Sequence, residues 1–123
     1  MNKKIIDKYG NFICSNEYGE FHCVNGPAFI KRNGDKEWWV DGKLHREDGP
    51  AVERVDGHKE WFVNGKRHRI DGPAIECASG HKEWYINGKR HRKNGPAIER
   101  TSGLKEWWVY GVFMKRRNDN AQT

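Results

Sequence analysis

At 123 residues the chain has room for one domain, and 35% hydrophobic against 33% charged residues, with a mean hydropathy of −1.06, is poor material for a globular core. An aromatic content of 12% argues against disorder, and no apolar run reaches the roughly 18 residues that would cross a bilayer. The formal charge of +6 and a pI near 9.3 turn the surface towards anions, which bears on partners rather than on fold.

The first seven residues lack the long apolar stretch of a signal peptide, so a cytoplasmic location is expected. Residues 1–21 are read as a degenerate unit that caps an array, because terminal repeats must hide an open edge. From His22 onwards the register is strict. His22, His45, His68 and His91 stand 23 residues apart, as do Pro27, Pro50, Pro73 and Pro96, and Trp38, Trp61, Trp84 and Trp107. Between the units that begin at His45 and His68, 16 of 23 positions are identical, so residues 22–111 form a repeat architecture of four units.

Each unit contains two strand-like segments, 50–54 and 58–63 in the second unit, the latter aromatic and β-branched as strands prefer. Charge sets their pairing. With Arg54 opposite His58 across the loop Val55-Asp56-Gly57, Glu53 faces Lys59 and Ala51 faces Trp61, whereas a loop one residue longer would set Glu53 against Glu60. The shorter loop also asks for a left-handed glycine at its end, which Gly34, Gly57, Gly80 and Gly103 supply. Ala51, Glu53, Lys59, Trp61 and Val63 then share one face, and Val52, Arg54, Glu60 and Phe62 the other. Asp41-Gly42, Asn64-Gly65 and Asn87-Gly88 provide the pair of left-handed residues of a tight type I′ turn.

The fold expected is an elongated single-layer antiparallel sheet of stacked hairpins, on the order of 45 Å long from the strand spacing. Tyr110-Gly111 breaks the Asn-Gly pattern, Val112, Phe113 and Met114 read as a closing cap, and the basic remainder of residues 112–123 is expected to fray.

The motif Asn-Gly-Lys-Arg-His, at residues 64–68 and 87–91, resembles the MORN repeat, although here Arg69 follows the histidine and the glycine comes at position 72. The His-Arg-x-Asp-Gly-Pro-Ala variant resembles repeat proteins of tailed phages and giant DNA viruses. The resemblance implies hairpins stacked into one long sheet, used for lipid contact, dimerisation or scaffolding, and a viral product acting in the host cytoplasm.

Cys14, Cys23 and Cys77 lack Cys-x-x-Cys spacing and read as free thiols. The four histidines of the register would lie about 10 Å apart, too far to share a metal ion. A turn-stabilising role is expected of them, and of His58 and His81. Every candidate base recurs with its neighbours, so no asymmetric catalytic constellation stands out, and no enzyme, cofactor or metal is expected.

Trp38, Trp61, Trp84 and Trp107 read as a structural spine. The companion row Trp39, Phe62, Tyr85 and Trp108 keeps aromaticity while changing identity, which suits a ligand surface. Beside Lys59, Lys82 and Lys105, or Arg46, Arg69 and Arg92, an aromatic floor with basic walls could stack a base and neutralise phosphate. Two functions follow. One is sequestration of an anionic, nucleotide-like ligand, such as a host signalling nucleotide. The other is a protein-interaction or homo-oligomerisation scaffold with an acidic partner. Non-specific binding of nucleic acid or acidic lipid ranks third. Function is expected where units disagree, at Cys23, Ile70, Cys77, Tyr85, Leu104 and Tyr110.

Overall fold

The computed structural model describes residues 2–120, and its strands follow from the turns. β1 (Lys3–Ile6) and β2 (Phe12–Ser15) flank a turn in which the Asp7 carboxylate accepts the backbone N–H groups of Tyr9 and Asn11. The first unit contributes β3 (Phe29–Ile30), β4 (Lys36–Glu37), β5 (Trp39–Val40) and β6 (Lys43–Leu44). In the second lie β7 (Val52–Glu53), β8 (Lys59–Glu60), β9 (Phe62–Val63) and β10 (Lys66–Arg67). The third repeats them as β11 (Ile75–Glu76), β12 (Lys82–Glu83), β13 (Tyr85–Ile86) and β14 (Lys89–Arg90). The fourth has β15 (Ile98–Glu99), β16 (Leu104–Val109) and β17 (Val112–Asn118).

Eleven of these strands make one open antiparallel sheet, β1-β2-β3-β4-β7-β8-β11-β12-β15-β16-β17, and the other six form three separate two-stranded hairpins. Among the described residues there is no helix. The register is the one charge demands: Glu53 faces Lys59, Val52 faces Glu60, and Arg54 N–H donates to the His58 carbonyl at 2.9 Å. Gly57 closes that loop at φ 100°, a conformation that carries no Cβ penalty only for glycine.

The expected two strands per unit are four in the first three units. After β8 the chain runs straight on through Trp61 into β9, but its partner strand is interrupted. Beyond the Asn64-Gly65 turn, β10 pairs back with β9 only as far as His68, whose N–H donates to the Trp61 carbonyl at 3.1 Å. Residues 69–73 then leave the ladder, and pairing resumes where Trp61 N–H donates to the Ala74 carbonyl at 2.8 Å. The same excursion recurs at residues 46–50 and 92–96, so three loops of sequence Arg-x-Asp/Asn-Gly-Pro stand out beside the sheet.

The core is thin. Ala28, Ala51, Ala74 and Ala97 are fully buried, with Val52, Ile75 and Ile98 close to it; small side chains at these points let the large aromatics of the next strand lie across them. At the N-terminal end β2 pairs with β3, and β1, exposed along its whole length with Ile5 and Ile6 uncovered, is the edge of the sheet. One expectation is corrected at the other end: residues 115–118 do not fray but belong to β17, a seven-residue strand paired with β16. Its cations explain the pairing. Arg116 donates to Glu106 at 3.0 and 3.2 Å, and Lys115 and Arg117 lie 4.6 and 5.0 Å from the Trp107 ring. Residues 121–123 of the expected tail lie outside the described residues.

Candidate functional site

The two faces of the sheet carry different chemistry. On one, each companion aromatic lies above the glutamate two residues before it. Trp39 Nε1 donates to Glu37 and Trp108 Nε1 to Glu106, both at 2.9 Å, and the Tyr85 hydroxyl donates to Glu83 at 2.8 Å. Phe62 has no donor, and there Arg67 reaches Glu60 at 3.0 Å instead. His58 and His81 belong to the same ladder, their Nε2 atoms 2.9 and 2.6 Å from Glu60 and Glu83. They are glutamate partners rather than turn stabilisers. Burial alone would raise the carboxyls of Glu60 and Glu83, but hydrogen bonds from His58 and Arg67, and from His81 and Tyr85, outweigh it and hold both below the ordinary range. Tyr85 is itself buried, and its phenol is pushed up by that burial and by Glu83. The polar atoms of this row are thus engaged internally.

The opposite face carries Trp38, Trp61, Trp84 and Trp107. Arg46, Arg69 and Arg92, at the start of the three excursions, fold back so that each guanidinium carbon sits 3.9 Å above the ring of Trp38, Trp61 and Trp84 respectively. This stack dictates the glycine of the loop: a Cβ at Gly72 would meet the Arg69 guanidinium at 2.8 Å. Arg46, Arg69 and Arg92 are therefore on the spine, while Arg67 and Arg90 are the cations that approach the companion row, Arg67 at 5.4 and 5.7 Å from Phe62 and Tyr85 and Arg90 at 5.1 Å from Trp108. The companion aromatics and the row of Arg46, Arg69 and Arg92, which the sequence left unassigned to a face, thus lie on opposite faces. Lys59 and Lys82 share the spine face and alternate with glutamates, Lys59 between Glu53 and Glu76, Lys82 between Glu76 and Glu99. Lys105 faces Glu99 and reaches Asp119 at 2.6 Å.

The register histidines do stabilise turns. Nδ1 of His22, His45, His68 and His91 accepts the backbone N–H of Asp41, Asn64, Asn87 and Tyr110 at 2.9 to 3.0 Å. All four partners adopt a left-handed φ of 46 to 52°. An accepting Nδ1 places the ring proton on Nε2. Tyr110 thus keeps the turn conformation of the asparagines it replaces, at a position a bulky side chain rarely occupies. Its ring stacks on His91 with centroids 3.8 Å apart.

Between successive excursion loops, counted from residues 23–27, where Cys-Val-Asn-Gly-Pro makes the same excursion without the arginine, three grooves open on the spine face. Their volumes are about 690, 690 and 810 Å³ in chain order. Geometry repeats; charge does not. The first holds Arg46 against Glu47 and Asp48, and the second Arg46 and Arg69 against Glu47, Asp48 and Asp71. The third and largest holds Arg69, Arg92 and Lys93 against Asp71 alone, because the fourth unit has Lys93 and Asn94 where the second has Glu47 and Asp48. Arg92 is accordingly the least neutralised of its row. Arg46 and Arg69 each reach an aspartate at 3.2 and 3.3 Å and a glutamate at 3.0 and 3.1 Å, whereas Arg92 has only Glu99 at 3.7 Å and the Pro96 carbonyl at 3.1 Å. Trp84 and Tyr110 complete the aromatic lining.

Of the residues singled out in sequence, Arg69 and Arg92 meet in this groove, while Lys59, Lys82, Lys105, Arg46 and the companion aromatics do not line it. Lys93 and Asn94 were missed, though Lys93 stands where the other units have Val24, Glu47 and Ile70, and Asn94 shares with Asn25 alone the loss of the carboxylate at its position. A smaller groove of about 440 Å³ on the other side joins Trp39 to Lys43 and Lys66. Among the described residues no group of three or more His, Cys, Asp or Glu is placed to hold a metal ion, and no helix is long and apolar enough to cross a membrane. Comparison of the chain with protein-family models, with curated proteins and with solved structures finds no match.

Proposed function

We propose that this chain is a non-catalytic, MORN-like repeat protein that binds a small nucleotide-like anion in the third groove. One observation carries the reading: three grooves of one construction differ in sign, and only the third sets three cations against a single carboxylate. Its volume falls in the range of small-molecule sites, about 300 to 1,000 Å³. Arg92, Lys93 and Arg69 are the phosphate ligands, and the exposed ring of Tyr110, already backed by His91, is the platform for a base. A strained, stacked tyrosine beside freed cations is the kind of local cost that accompanies a site rather than a scaffold. Sequestration of a host signalling nucleotide by a viral product suits such a protein.

The test is a panel of mono-, cyclic and oligonucleotides followed by calorimetry and thermal shift. A saturable, stoichiometric response that Lys93→Glu with Asn94→Asp removes is expected. Absence of any response rejects the site, and turnover of a nucleotide rejects the non-catalytic reading.

A second reading, self-association or addition of a partner strand, is favoured by the open edge of β17, where Val112, Phe113 and Met114 are 61%, 47% and 59% exposed. Unpaired strand edges with exposed apolar groups are templates for another chain.

A further inference from the structure

The repeat identifies what stands in the place of the tryptophan–arginine stack at the N-terminal end. In the three following units the histidine N–H donates to the tryptophan carbonyl: His45 to Trp38, His68 to Trp61 and His91 to Trp84, at 3.0 to 3.1 Å. The next residue donates to the companion aromatic of the following unit, Arg46 to Phe62, Arg69 to Tyr85 and Arg92 to Trp108, at 3.0 to 3.1 Å. The opening segment repeats both bonds with different residues. His22 N–H donates to the Cys14 carbonyl at 3.0 Å, and Cys23 N–H to the Trp39 carbonyl at 3.1 Å. Cys14 therefore occupies the tryptophan position and Cys23 the arginine position, two places whose side chains touch in every other unit.

We propose that Cys14 and Cys23 form a peroxide-oxidisable dithiol, an intramolecular modification site that staples the first hairpin to the array. Burial first, and then the neighbouring Cys23 thiol, pushes the Cys14 thiol up to about 11. Their environments differ in the way such a pair requires. Cys14 is fully buried, whereas Cys23 lines the first groove beside Trp38 and Arg46, where a small oxidant can enter. Cys23 reacts first: its sulfur attacks one peroxide oxygen, the O–O bond breaks, and Cys23 becomes a sulfenic acid with release of water. The Cys14 sulfur then attacks the Cys23 sulfur, the S–O bond breaks, and the Cys14 proton leaves with the hydroxyl as a second water. Two thiols and one hydrogen peroxide thus give one disulfide and two waters, and a dithiol reductant reverses the change. Cys77, on a different unit at the position that Arg54 and Arg100 occupy, has no second cysteine in register with it and is the internal control.

The experiment treats the full chain with hydrogen peroxide, blocks remaining thiols with N-ethylmaleimide under denaturing conditions, and maps peptides by mass. The expected product has lost two hydrogens within the peptide that holds Cys14 and Cys23, carries maleimide on Cys77 alone, melts at a higher temperature, and reverts with dithiothreitol. Cys77→Ser, which leaves the pair untouched, oxidises in the same way, and Cys14→Ser leaves a sulfenic acid on Cys23 that dimedone traps. Recovery of Cys14 and Cys23 both as maleimide adducts, over-oxidation of Cys23 with Cys14 free, or a disulfide through Cys77 or between chains overturns the proposal.

Discussion

Arg69 and Arg92 hold the same place in successive units, yet removing them has opposite consequences on this reading. Arg69→Ala loses a guanidinium stacked at 3.9 Å on Trp61, a charged hydrogen bond to the Pro73 carbonyl at 3.0 Å and an ion pair with Glu76 at 3.1 Å. Cation–π contact at a part-exposed site contributes about 1 kcal/mol, a charge-assisted hydrogen bond about 1.5, and a screened ion pair about 0.5. Their loss costs about 2 to 3 kcal/mol. Arg92→Ala loses the same stack and the Pro96 bond, but its pair with Glu99 is beyond hydrogen-bonding reach at 3.7 Å and it has no aspartate partner. It should cost about 0.5 to 1 kcal/mol less. Affinity should rank the other way, with Arg92→Ala weakening nucleotide binding at least tenfold, equivalent to about 1.4 kcal/mol, and Arg69→Ala weakening it less. Urea denaturation followed by tryptophan fluorescence gives the first order and calorimetry the second. Equal destabilisation by both variants, with affinity unchanged in Arg92→Ala, would refute the assignment of Arg92 as the freed member of its row.

Arg69→Lys keeps the charge but not the planar stack, so most of the loss seen with alanine should remain; wild-type stability in this variant would remove the stack as its cause. Tyr110→Asn relieves a left-handed strain of about 1 kcal/mol but gives up a stack on His91 of similar size, so stability should move by less than about 1 kcal/mol while base binding falls; unchanged binding would exclude the ring as a platform. Glu60, Glu83 and Glu106 have carboxyls held below their ordinary 4.5 in the folded chain. The unfolded chain therefore binds their protons first as pH falls, so the stability they contribute is complete above pH 4.5 and is lost progressively below it. Thermal melting between pH 3 and 7 should show its steepest fall below about 4.5, and a flat profile there would discount the ladder. If the β17 edge self-associates, sedimentation should be concentration-dependent and Met114→Lys should weaken it; a monomer at every concentration removes that reading.

Much of the ladder was legible because its determinants are local. Glu53, Lys59 and Glu60 fix the register by charge alone, and Gly57 and Asn64-Gly65 carry their turn types with them. The excursion of residues 69–73 was not. Whether Arg69 lies over Trp61 or beside Phe62 depends on where pairing stops after His68 and resumes at Ala74, a choice between two ladders that alternation along one strand does not encode. The fate of residues 115–117 was missed for a related reason. Their charge suggested a solvated tail, but Glu106 and the Trp107 ring lie within reach only once β17 has paired with β16. The third groove could have been found in sequence, since Lys93 is a cation where the other units carry Val24, Glu47 and Ile70, and Asn94, like Asn25, stands where the middle units carry Asp48 and Asp71.

That the array diverges there rather than at Glu83 or Trp84 follows from what each position holds. Asp48 and Asp71, though paired to arginine, are 89% and 88% exposed, and an ion pair so open to water contributes little to stability. Replacing the equivalent aspartate by Asn94 therefore costs the fold almost nothing while leaving a guanidinium pinned on Trp84 and short of a counter-charge. Glu83, by contrast, is 13% exposed and bonded to His81 and Tyr85, so losing it leaves buried partners unsatisfied at about 1 to 3 kcal/mol. A repeat built this way can change the charge of one groove without disturbing its shape. The prediction is specific. Glu47→Lys with Asp48→Asn leaves Asp71 as the sole carboxylate of the second groove and does not touch the lining of the third; it should leave the urea midpoint within error of the wild type and add a second nucleotide site to the one in the third groove. Failure to gain affinity in a variant that folds normally would show that charge alone does not make the site, and that Tyr110, present only in the third groove, is indispensable.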